Sequence, residues 1–171
     1  MKKLFYNPFA MLLCMVMAVT FTACEPEEET IDKDERALAF VCDGKAIAEG
    51  STYTSSKLDE EYADMDMTRF VPGIDLVGDA DGKVVVTVKS LNQAMVEICA
   101  FGGCQMTLPH LGYTTSASGE ITANTPLPLD IHYTPTGEGA HRAEALVTAY
   151  YEGYEDMAVS FTLVMTNAKV E

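Results

Sequence analysis

Lys83-Val84-Val85-Val86-Thr87-Val88-Lys89 decides the fold class. Val84, Val86 and Val88 share one face, while Lys83, Thr87 and Lys89 share the other. That two-residue period is the signature of a half-buried β-strand. The pattern recurs on both sides. Val159, Phe161, Leu163 and Met165 alternate with Ser160 and Thr162 between Met157 and Thr166. Leu127, Leu129, Ile131 and Tyr133 alternate with Asp130 and His132. Leu38 to Val41, Met95 to Ala100 and Arg142 to Tyr151 read the same way. Asp43-Gly44, Asp81-Gly82, Phe101-Gly102-Gly103, Thr136-Gly137-Glu138-Gly139 and Glu152-Gly153 are turn sequences between them. Ser55 to Met67 is the best helix candidate, although its apolar positions do not form a continuous stripe. The expectation is an all-β domain, an antiparallel sandwich of about seven to eight strands over residues 37–171.

The chain ahead of that domain reads differently. Met1-Lys2-Lys3 precedes an apolar stretch densest from Phe9 to Phe21, which ends at Thr22-Ala23-Cys24. A cationic start, an apolar run and small residues are the order of an export signal, and Tyr6-Asn7-Pro8 leaves the run short for a membrane span. Residues 1–23 are therefore expected to be a signal peptide. Phe21-Thr22-Ala23-Cys24 resembles the bacterial lipobox, with Phe where Leu is usual. The resemblance implies that Cys24 carries a diacylglycerol and becomes the mature N-terminus. Glu25-Pro26-Glu27-Glu28-Glu29 resembles the acidic tract of Bacteroides-type lipoproteins displayed on the outer face of the outer membrane. Residues 24–36 hold almost nothing apolar, so they are expected to be a solvated acidic tether.

Ile98-Cys99-Ala100-Phe101-Gly102-Gly103-Cys104 resembles a Cys-turn-Cys hairpin of immunoglobulin-like domains in Bacteroidetes secreted proteins and lipoproteins. Ile131-His132-Tyr133-Thr134-Pro135, followed by two long strands, fits the same family, and the likeness covers about residues 80 to 166. It implies an immunoglobulin-like β-sandwich at the cell envelope, with no shared catalytic residues.

The 171 residues carry 26 acids and 11 bases, a formal charge of −15. Seven acids lie within residues 25–35, and Lys2, Lys3, Lys33 and Arg36 precede Ala37, so the domain keeps 19 acids against 7 bases. Nucleic acid is excluded as a partner, because a phosphate backbone needs the basic surface that this chain lacks.

Cys99 and Cys104 flank a Gly-Gly turn, and in an envelope compartment a disulfide is the leading reading. A zinc site on Cys99, Cys104 and His110 is the alternative, without a clear fourth ligand. Cys42 is then expected to be a buried free thiol. Asp79-Ala80-Asp81-Gly82 begins like a calcium loop, but Lys83 and the valines stand where further ligands belong. Asp59, Glu60, Glu61, Asp64 and Asp66 form a denser acidic run, read as a solvated loop with weak calcium binding as the alternative. His110, His132 and His141 are scattered, and the hydrolase and phosphate-loop motifs are missing. No catalytic residue, metal or cofactor is assigned. Tyr150, Tyr151 and Tyr154 are the candidates for a glycan- or peptide-binding patch, although neighbours on a strand face opposite ways, so one of the first two belongs to the core. The expected function is a lipid-anchored, non-enzymatic interaction or structural module, held to the membrane through the N-terminal lipid, with an unknown protein or glycan partner. The alternative is a surface glycan- or peptide-binding accessory lipoprotein.

Overall fold

A computed structural model describes residues 36–168. The expected signal peptide, Cys24 and all of the expected acidic tether except Arg36 lie outside the described residues.

The strands are β1 (Leu38–Cys42), β2 (Lys45–Ala46), β3 (Thr52–Ser55), β4 (Ile74–Gly78), β5 (Gly82–Ser90), β6 (Val96–Ala100), β7 (Gly103–Met106), β8 (Thr114–Ile121), β9 (Leu127–Tyr133), β10 (Arg142–Tyr151) and β11 (Val159–Thr166). They form two sheets, β2-β1-β4-β9-β6-β7 and β3-β11-β10-β5-β8. The inner orders β1-β4-β9-β6 and β11-β10-β5 are those of an immunoglobulin-like sandwich. Eleven strands among the described residues exceed the seven or eight expected. The extra ones are short, as β2 and β7 are, or polar, as β8 is.

One pair departs from the antiparallel expectation. After β2 the chain crosses to the second sheet, where the Gly50 N–H donates to Ser160 O and the Thr162 N–H to Ser51 O. That crossing brings β3 alongside β11 in a parallel register, Thr52 opposite Thr162. Within the helix candidate Ser55 to Met67 only one turn forms, α1 (Glu60–Ala63), whose Asp59 cap accepts from the Glu61 N–H at 3.1 Å. Too few apolar positions face one way to hold a longer helix against the sheets.

The core lies between the sheets. Val84, Val86 and Val88 are fully buried, as their alternation requires. β5 sits between β10 and β8, so its inner face meets the other sheet and its backbone is paired on both edges. Phe40 of the first sheet meets Phe161 of the second edge-on, with ring centres 4.8 Å apart. Burial of such side chains contributes about 1.5–3 kcal/mol each and dominates the stability of the fold.

Register also fixes two distinct ends. Leu38 pairs with Gly78, Gly82 with Ile121, and Val84 with Tyr151, so the start of β1 lies with the starts of β5 and β9 and the ends of β8 and β10. At the other end, Lys89 pairs with Thr114, Val96 with Tyr133 and Glu97 with Met106.

Candidate functional site

Polar chemistry gathers on the outer face of the first sheet. The alternation of β9 turns Leu129 and Ile131 inward and Asp130 and His132 outward. In register, His132 lies beside Glu97 and Asp130 beside Cys99, while β7 sets Cys104 opposite Cys99 and Met106 opposite Glu97. A strap over residues 56–72 closes over this face. Phe70 bridges to both Leu58 and Tyr133, and its ring stacks on Tyr133 at 5.9 Å.

The strap delivers Arg69. Its Nη2 lies 3.0 Å from Asp130 Oδ2 and 2.9 Å from His132 Nδ1, and its Nη1 lies 3.5 Å from Asp59 Oδ2. The Tyr62 ring centre is 4.4 Å from the guanidinium carbon. His132 is thereby buried although it points away from the core; its side chain is 8% exposed. Its Nε2 lies 2.9 Å from Glu97 Oε2, and its Nδ1 lies 3.0 Å from Asp130 Oδ1.

Where the ring proton sits decides which of these bonds can form. Arginine only donates, so a bond from Arg69 to Nδ1 places the ring proton on Nε2, which donates to Glu97. A proton on Nδ1 instead donates to Asp130, but it gives up the bond from Arg69 and sets Nε2 and the Glu97 carboxylate face to face as two acceptors. Thr134, Met95, Glu97, Met106 and His132 line a partly open cavity of about 50 Å³. Glu97, whose Oε2 lies 2.9 Å from Nε2, lines it as well, whereas Asp130 does not.

Cys99 and Cys104 form a disulfide with Cα atoms 4.0 Å apart. Glu97, Cys99 and Cys104 bring ligand atoms within 4.8 Å of one another, and so do Cys99, Asp130 and His132. With the sulfurs bonded to each other, neither cysteine supplies a thiolate there. The imidazole beside the hairpin is His132, whereas His110 is exposed on the loop after β7. Sequence spacing cannot foresee this, because β9 arrives from some thirty residues downstream; the outward phase of His132 in its strand is the signal that was available.

The other candidates fall elsewhere. Cys42 is a free, buried cysteine whose Sγ lies 3.0 Å from the Tyr53 hydroxyl. It borders an open cleft of about 440 Å³ between β2 and β3. The Cys42 contact, together with burial, pushes the Tyr53 phenol up to about 12. Asp79 Oδ1 accepts from the Ala37 N–H at 2.9 Å, and Asp81 Oδ1 from the Ala123 N–H at 2.7 Å, so both carboxylates fasten turns. Of the acidic run, Asp59 caps α1 and faces Arg69.

The three tyrosines do not form one platform. Tyr151 is 2% exposed and belongs to the core, whereas Tyr150 and Tyr154 are half-buried. Arg36 lies over both Tyr151 and Tyr154, with its guanidinium carbon 5.3 and 5.0 Å from the ring centres. This aromatic group marks the end where the chain enters β1.

The exposed large apolar side chains avoid that end. Met95, Met106, Leu108, Leu111 and Tyr113 lie where β6 and β8 begin and β7 ends. Leu58, Met65 and Met67 lie on the strap, which is fastened there through Phe70 and Tyr133. No helix among the described residues is long and apolar enough to cross a membrane.

No family model matches the chain, and no curated protein matches it. Among solved structures, the N-terminal domain of PorA is similar at 11% identity with a TM-score of 0.51, across 76% of this chain and 96% of that one. The ASH/PapD-like domain of human CEP192 is similar at 14% identity with a TM-score of 0.38, across 78% of this chain and 87% of that one. The likeness to the PorA domain is one of fold. The chain is an immunoglobulin-like β-sandwich.

Proposed function

We propose that the chain is a lipid-anchored protein of the cell envelope whose sandwich is a non-enzymatic interaction module. The observation that carries this reading is the polarity of the domain. The segment from Cys24 enters at Arg36, and the exposed Met, Leu and Tyr side chains stand at the opposite end and on the strap. Exposed apolar side chains gathered at one end support a protein contact there. Several acyl chains on Cys24 would hold the protein in the outer membrane, and the acidic stretch behind them supports display on the outer face.

Two experiments test the reading. Radioactive palmitate should label the chain in cells and leave Cys24→Ala unlabelled; label on that variant would remove the anchor. A photo-crosslinking residue at Leu111 should give discrete adducts on intact cells, and the same probe at Gly153 should give none. Equal adducts from both ends, or none from Leu111, would overturn the interaction surface.

A further inference from the structure

We propose that the cavity between β6, β7 and β9 binds a soft monovalent cation of the copper(I) class. The ligands are the thioethers of Met95 and Met106 and the Nε2 of His132. Each part follows from the donor set. Thioether is a soft, neutral ligand and imidazole a neutral one that copper accepts, and the set does not suit calcium or magnesium. Glu97 supplies one negative charge beside it, enough to balance a single positive one. A cavity of about 50 Å³ accommodates one ion or one or two waters and no organic ligand.

The surroundings of His132 support this assignment independently of the methionines. A metal-binding histidine usually donates its other N–H to a carboxylate, which fixes the ring and raises its basicity. Asp130 Oδ1 stands 3.0 Å from Nδ1 for that purpose, and Arg69 holds Asp130 through its other oxygen at 3.0 Å. On binding, the ring keeps one proton, which moves from Nε2 to Nδ1. The bond from Nε2 to Glu97 is exchanged for the one to the ion, Nδ1 donates to Asp130, and Arg69 gives up its bond to Nδ1 and keeps the one to Asp130 Oδ2. Nothing is oxidised or reduced. The disulfide leaves no thiolate at the site, so the methionines and the ring must do the binding. The inference does not depend on the proposed contact surface, since it needs no partner.

Silver(I) is the probe, having the same charge and softness without redox chemistry. The full chain in detergent, carrying Cys14→Ser, Cys24→Ser and Cys42→Ser to remove competing thiols, is labelled at the methionine methyl groups and titrated. One equivalent should shift the Met95 and Met106 methyl resonances and leave those of Met65 and Met67 in place. Asp130→Asn should weaken binding about 10- to 100-fold. His132→Gln and the paired change Met95→Leu with Met106→Leu should abolish it, and zinc or calcium should move neither resonance. Equal shifts at Met65 and Met67, no shift at one equivalent, or unchanged binding by His132→Gln would each overturn the proposal. The resonance map of the chain with both methionines intact decides the matter even if the leucine variant does not fold.

Discussion

The hydroxyl of Tyr151 donates to the carbonyl oxygen of Ala80 at 2.8 Å and accepts the Ala80 N–H at 3.2 Å. One phenol at the end of β10 thus ties down both polar groups of a residue in the β4–β5 turn. Gly78 makes room for it, because a Cβ there would collide with the hydroxyl. Burial raises the Tyr151 phenol above its ordinary value, although the bond to Ala80 pulls the other way.

Tyr151→Phe keeps the ring and removes both bonds. It should cost about 1–3 kcal/mol, the range for leaving buried backbone groups without their partner. Urea denaturation measures it, and an unchanged midpoint would show that the turn holds without the phenol.

The Cys99–Cys104 bridge closes a short loop, so its stabilisation should be modest, about 2 kcal/mol on chain-entropy grounds. Cys104 is exposed, which leaves the bridge open to reductant. Adding a dithiol should lower the urea midpoint of the native protein and leave that of the Cys99→Ser, Cys104→Ser variant unchanged.

Arg69 holds the strap to the sheet. Arg69→Met keeps an apolar stem but removes the guanidinium from the Tyr62 ring, from His132 and from the Asp130 and Asp59 carboxylates. The loss should be about 1–3 kcal/mol, lowered within that range by the partial exposure of Asp130. A glutamate-specific protease cutting at Glu60 and Glu61 should act faster on this variant. Equal cleavage rates would mean that Phe70 alone secures the strap.

Alkaline pH should loosen the β1–β3 region. The folded-state value of Tyr53 is about 12 against an ordinary 10.0. The stability that its protonated phenol contributes is therefore complete below pH 10 and lost as pH rises toward 12. Tyr53→Phe should show a smaller fall in melting temperature than the native protein between about pH 9 and about pH 11. Tyr133 and Tyr151 are also raised by burial, so part of the fall should remain.

Much of the sandwich is legible in the sequence because β5, β9, β10 and β11 each turn one apolar face to the core. Ile74 and Leu76 carry the same alternation in β4, over a stretch too short to stand out. Thr114 to Ile121 does not, since β8 is an edge strand with polar residues on its exposed positions. Its place is set by pairing with β5, a partner its own composition cannot announce. The site was legible only in pieces. Strand phase turns Asp130 and His132 outward, but what buries His132 is Arg69, 63 positions earlier in the chain. Local pattern cannot convey a contact that a strap makes across the sheet.

The opposition of the two ends has a mechanical consequence. A load applied between Arg36 and the apolar end runs along β1, whose five pairs with β4 have their hydrogen bonds across the strand direction. β3 adds a parallel pairing to β11, whose bonds are evenly spaced but slanted. Bonds across the strand direction resist together in shear and do not peel one at a time, so the domain is built to withstand tension between its two ends.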